Sequence, residues 1–122
     1  INGDDKNITL KNIQPLIDLG ADKEIKNAQG KTILVRAIEA GSLPVVGFLL
    51  QNGANPKAGP LGALAASRSE FDILKKLIGA GADVNSKDEN GFTALYHAAN
   101  YARPQIVELL LSSGANPRIG NK

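Results

Sequence analysis

The 122-residue sequence contains no cysteine, no methionine and no tryptophan, a single histidine, and only five aromatic residues. Without cysteine, disulfides, thiol catalysis and thiolate metal sites are excluded. Compartment stays open on that ground. His97 stands alone, so a zinc site built from histidine and cysteine ligands has too few donors. No apolar run reaches the ~18–20 residues of a membrane span, and no signal-peptide pattern is visible. No block of like charge occurs either. The net charge is +2, with acids interleaved among the bases, so a nucleic-acid footprint is not indicated. The neighbouring Lys75 and Lys76 read as a solvated helix face. The chain opens on Ile1 and has no initiator methionine, which fits a trimmed chain, a mature chain after leader removal, or ends beyond these 122 residues.

What is present is small and aliphatic: Leu, Ile, Val and Ala supply the apolar content, which suits thin stacked layers. A Gly-Ala pair closes an apolar helical run four times, at Gly20-Ala21, Gly53-Ala54, Gly81-Ala82 and Gly114-Ala115, at separations of 33, 28 and 33 residues. Asp or Asn follows each pair at once. Two helical patterns and a turn at a period of 33 are the signature of the ankyrin repeat, and the chain resembles that family over about residues 9–117. The family's Thr-Pro-Leu-His-x-Ala stands here as Thr93-Ala94-Leu95-Tyr96-His97-Ala98 and as Thr32-Ile33-Leu34-Val35-Arg36-Ala37. Neither copy keeps both Pro and His; both keep the Leu and Ala that make core contacts. The resemblance implies an all-α solenoid of stacked helix-turn-helix repeats with hairpin-like finger loops. It would form one domain over 1–122: a partial repeat at 1–26 and repeats at 27–59, 60–87 and 88–122.

Residues 1–8 are polar and support no full helix. A helix is expected over 9–19 with Ile13, Leu16 and Ile17 on one face. Pro15 argues for a regular start near Asn12, because proline fits only the first turn. Further helices are expected at about 32–40, 44–52, 70–80, 93–101 and 103–113, with Leu61, Leu64 and Ala65 carrying the first helix of the third repeat. That repeat is five residues short, all lost from its finger. Gly62 falls where Leu is expected, which suggests a one-residue shift. Val107, Leu109, Leu110 and Leu111 read as an interior helix, so a further repeat or a partner is expected to cover that end.

Catalytic readings are weak. His97 lacks an evident nucleophile or ligand set, and a role in packing or hydrogen bonding is preferred. An enzyme would need a concave pocket joining it to acidic residues. The carboxylate pairs Asp4/Asp5, Asp88/Glu89 and Glu70/Asp72 sit near a terminus, on a finger and at a helix start, without apolar surroundings. The glycine-rich stretches 59–62 and 79–81 lack the phosphate-loop pattern. Asn85 resembles the finger asparagine hydroxylated in some eukaryotic ankyrin repeats, but a local turn-holding role is preferred.

The family resemblance implies a concave binding face made by finger tips and the first helix of each repeat. Transferred residue by residue, it comprises Gln29, Lys31, Glu39 and Ala40, then Ser67 and Arg68, then Glu89, Asn90, Phe92, Asn100 and Tyr101. Phe92, Tyr101 and Arg68 carry the most weight, because exposed aromatic and arginine side chains are the usual anchors of interfaces. Tyr96 replaces the family's histidine and is expected to be half-buried. The function implied is a non-enzymatic protein-protein interaction module for a folded partner, with no cofactor, metal, nucleic acid or membrane. Alternatives are a bacterial immunity or inhibitor protein that neutralises a toxin or enzyme, and a fragment of a larger scaffold or effector. Exposed apolar end helices would favour the fragment. A cytoplasmic location is favoured over export.

Overall fold

A computed structural model describes residues 8–118. Among them the elements are seven α-helices: α1 (Leu10–Asp18), α2 (Ile33–Glu39), α3 (Leu43–Gln51), α4 (Leu61–Ser67), α5 (Phe71–Gly79), α6 (Ala94–Asn100) and α7 (Pro104–Ser112). They divide between two compact units, Ile1–Asn55 and Pro56–Lys122. Asp4, Asp5 and the rest of the polar opening stretch lie outside the described residues.

In the first unit, α3 packs against both α1 and α2. The unit's buried aliphatics are Ile13, Leu34, Ala37, Ile38, Val45, Val46, Leu49 and Ala54. Each Leu, Ile or Val buried this way contributes about 1.5–3 kcal/mol of transfer free energy. The regular helix α1 begins at Leu10, not near Asn12. Thr9 caps it: its Oγ1 accepts the Asn12 N–H at 3.3 Å and its carbonyl accepts the Ile13 N–H at 2.9 Å. Pro15 therefore sits inside the helix. It removes the bond that would end on the Lys11 carbonyl, but Pro15 and Lys11 are both exposed, so water can serve that carbonyl.

The finger before α2 is closed by Asn27. Its Oδ1 accepts the N–H groups of Gln29 and Lys31, and Gly30 supplies the positive φ of +79° that the turn needs. Thr32 then caps α2 through Val35 N–H at 3.2 Å. The Glu24 carboxylate accepts the Asn55 N–H at 3.0 Å, tying loops 31 residues apart.

In the second unit, α4 packs on α5 and α6, and α7 packs on α5 and α6. Leu61 occupies the helix position held by Ile33 in α2 and Ala94 in α6, so Gly62 stands in register with Leu34 and Leu95. The expected one-residue shift does not occur. Gly62 is buried instead, and a Cβ there would meet Leu74 Cδ1 at 3.8 Å and Ala94 Cβ at 3.9 Å. The missing side chain lets α6 lie close to α4. The shortened loop before α4 closes through Gly59, at a φ of +98°, and Pro60 stands at the cap without a side-chain bond.

The turn between paired helices is the same each time. Ser42, Glu70 and Arg103 N–H groups return to the carbonyls of Ala37, Ala65 and Ala98. The residue before each takes positive φ: Gly41 at +71°, Ser69 at +56° and Ala102 at +54°. On α7 only Ile106 and Leu110 are buried; Val107 and Leu109 are half-buried, and Leu111 is 47% exposed. A groove of about 630 Å³ runs beside it, lined by Ala98, Ala99, Ala102, Val107 and Leu111 among others. The interior character read for this helix thus holds for Leu110, while its far face is open.

Candidate binding face

The finger at 83–90 and helix α6 of the second unit are joined by one carboxylate. Asp88 Oδ1 accepts the N–H groups of Asn90 and Phe92, each at 2.9 Å. Its Oδ2 lies 2.9 Å from His97 Nε2. Burial alone would push the Asp88 carboxyl up. The hydrogen bond from His97, together with those from Phe92 and Asn90, outweighs burial and holds it below the usual carboxylate value. His97 is thereby joined to an acid, as an acid–base site would require, yet both oxygens of that acid are occupied in fixing the finger onto the helix. The pairing was not foreseen from the sequence. The finger closure alone had a signal: Asp88 and Asn27 stand five residues before Thr93 and Thr32, and each is a short acceptor.

Three further rings gather on this pair. Phe92 stacks on Tyr96 with centroids 4.3 Å apart. His97 meets Phe92 edge-on at 5.6 Å and lies parallel to Tyr101 at 6.3 Å. Phe92, Tyr96 and His97 are half-buried, whereas Tyr101, the C-cap of α6, is 47% exposed. Thr93 caps α6 through the Tyr96 N–H at 3.1 Å. Asn85, expected to hold its own turn, reaches outward instead: its Oδ1 accepts the Asn116 N–H at 2.7 Å. Its own N–H donates to Asp83 Oδ1 at 2.8 Å, so Asp83 is the local turn-holder.

The corresponding face of the first unit is ionic. Glu39 receives Lys31 at 2.8 Å and Arg36 at 2.7 Å. Burial would raise the Glu39 carboxyl; the hydrogen bonds from Lys31 and Arg36 prevail and lower it.

A family model described as "Ankyrin repeats (3 copies)" matches residues 53–121, and a model for a single ankyrin repeat matches residues 29–59. The chain belongs to the ankyrin-repeat family. A protein of Rickettsia bellii (strain RML369-C) named for its ankyrin repeats is 31% identical over 115 residues, covering 85% of this chain and 33% of that protein. One from Treponema pallidum (strain Nichols), also named for its ankyrin repeats, is 30% identical over 124 residues, covering 97% of this chain and 41% of the relative. The mouse neurogenic locus notch homolog protein 1 is 34% identical over 113 residues, covering 87% of this chain and 4% of the relative. The chain thus spans less than half the length of these relatives. The family's repeats are, in general, protein-interaction modules, and no helix among the described residues is long and apolar enough to cross a membrane.

The structure distributes the expected ankyrin binding positions as follows. Gln29, Arg68, Glu89, Asn90, Asn100 and Tyr101 are exposed; Lys31, Glu39, Ala40, Ser67 and Phe92 are half-buried. Lys31 and Glu39 are bonded to each other, and the Ser67 hydroxyl donates to the Leu64 carbonyl at 2.8 Å. Phe92, expected to be exposed, spends much of its surface on Tyr96. Asn90, Phe92, Asn100 and Tyr101 share one finger-and-helix assembly with the Asp88–His97 pair.

Proposed function

We propose that the chain is a non-enzymatic ankyrin module that takes a folded protein partner on the finger-and-first-helix face. On the second unit that face comprises Glu89, Asn90, Phe92, Asn100 and Tyr101 with Ser67 and Arg68. The first unit carries a corresponding face of its own, with Gln29, Lys31, Glu39 and Ala40. The observation carrying this reading is the exposed Tyr101 ring, set on a finger and helix that Asp88 and His97 hold in place. A large exposed ring on a preorganised support loses little conformational entropy on binding, and tyrosine is among the commonest interface anchors. The test is capture from native extract by immobilised wild-type protein and by Tyr101→Ala with Asn100→Ala. Loss of a specific captured protein, with far-UV helicity unchanged, supports the reading. Equal capture by both proteins refutes the chosen face.

A second reading is that this module belongs to a larger scaffold. It is supported by the open face of α7 around Leu111. Nothing in the geometry favours the toxin-inhibitor variant over a general binder.

A further inference from the structure

The fingers of the two units close alike. In one, Asn27 Oδ1 accepts the N–H groups of Gln29 and Lys31, and the Asn27 carbonyl accepts that of Gly30. In the other, Asp88 does the same for Asn90, Phe92 and Gly91. The residue before the turn glycine differs: Gln29 precedes Gly30, whereas Asn90 precedes Gly91. Asn90 is exposed, and its carboxamide has no hydrogen-bond partner among the described residues. A second Asn-Gly pair, Asn52-Gly53, closes α3, and there the carboxamide is tied: its Nδ2 donates to the Phe48 carbonyl at 2.8 Å. Gly53 N–H donates to the Leu50 carbonyl at 3.2 Å, and the next residue, Ala54, is buried and bonded to the Leu49 carbonyl. Asn2-Gly3 lies outside the described residues.

We infer that Asn90-Gly91 is a site of spontaneous deamidation, which converts Asn90 to isoaspartate and aspartate with water as the co-reactant. Gly91 N loses its proton and attacks Asn90 Cγ. The new N–Cγ bond closes a five-membered imide, the Cγ–Nδ2 bond breaks, and ammonia leaves with the proton. Water then adds to the imide. Opening at the side-chain carbonyl gives aspartate in a normal chain. Opening at the backbone carbonyl gives isoaspartate, with an extra methylene in the main chain and a free α-carboxylate. Glycine suits the attack because no Cβ shields its nitrogen. The Gly91 N–H must first leave the Asp88 carbonyl, a bond at the tip of a loop whose Glu89 and Asn90 are exposed, where local opening costs little. At Asn52 the side-chain bond to Phe48 must break as well. At Gln29 the finger opens in the same way, but the longer side chain has to close a six-membered ring, which is slower. The product carboxylate stands next to Glu89 on the finger.

The experiment incubates the whole folded chain at mildly alkaline pH in heavy-oxygen water and follows each asparagine by peptide mapping. Asn90 should acquire a labelled carboxylate, part of it isoaspartate, as read by isoaspartyl methyltransferase. Asn52 should convert about two- to tenfold more slowly, the net strength of its additional hydrogen bond expressed as a rate. In urea the two should convert alike, because the local sequence is the same. Asn90→Gln should abolish the product at that position. Gln29→Asn should create one in the first finger at a rate near that of Asn90, since both fingers share one closure. Equal rates at Asn52 and Asn90 in the folded chain would mean conversion through global unfolding and would overturn the inference. So would an Asn90 that remains an amide over the interval in which the urea-unfolded chain converts, or a Gln29→Asn finger that stays unconverted while Asn90 reacts.

Discussion

His97 Nε2 and the Asp88 carboxylate, 2.9 Å apart, connect the helix of one ankyrin repeat to its own finger. The same carboxylate closes the finger's turn through Asn90 and Phe92. One side chain thus sets both the loop's shape and its attachment.

This connection makes a pH signature. The Asp88 carboxyl is lowered in the folded state, so its stabilisation is fully present above the ordinary carboxylate value and fades as pH falls through the lowered one. Glu39 adds to the same acid-side loss, because it too is lowered. Asp88→Asn, which places here the residue found at position 27, should flatten the stability–pH curve below about pH 4 by lowering neutral-pH stability and leaving acid-pH stability less changed. Urea midpoints across pH 2–7 check this. A curve that remains as steep as wild type would mean that Asp88 gains nothing from His97, Phe92 and Asn90 together.

Asn85→Ala should release the Asn116 amide. The bond spans 31 residues, and Asn85 Oδ1 is the partner that the Asn116 N–H has. The expected cost is about 1 kcal/mol, read as faster hydrogen exchange at Asn116. Unchanged exchange there, with global stability intact, would contradict the role.

Gly62 gives a prediction that sequence alignment alone would get backwards. Leu34 and Leu95 hold the aligned positions, yet Gly62→Leu should destabilise by about 1–3 kcal/mol through overpacking against Leu74 and Ala94. Gly62→Ala should stabilise by up to about 1 kcal/mol, since its Cβ meets only ordinary contacts and the helix gains propensity. Denaturant titration of both variants checks the order; a Leu variant as stable as wild type would refute the packing account.

Ala102 stands at a φ of +54° in a turn where the first unit uses Gly41. Ala102→Gly should raise stability by about 0.5 kcal/mol, because relief of the left-handed strain exceeds the added chain entropy of glycine. A lowered Tm would show that the strain is already absorbed.

Much of the fold was legible because its signals are local and repeated. The Gly-Ala closures fall at helix ends, and the threonines at 9, 32 and 93 cap the helices that follow. Pro15 misled because its penalty depends on whether water reaches the Lys11 carbonyl, which is a tertiary fact. Gly62 misled because its burial depends on the approach of α6. On the proposed binding face, the exposure of Tyr101 followed from its repeat position. The burial of Phe92 did not, since it depends on Tyr96, an aromatic where the family motif has histidine. The bonds from Asp88 to His97 and from Asn85 to Asn116 cross 9 and 31 residues, beyond the reach of local pattern.

The central claim, that the finger-and-helix face around Tyr101 meets a protein, is tested most directly by photo-crosslinking in native cells. A benzophenone amino acid would replace Tyr101 in one variant and Lys75, exposed on α5, in another. The account predicts a discrete protein adduct from position 101 that position 75 does not give. An adduct from position 75 alone, or none from position 101, would contradict it.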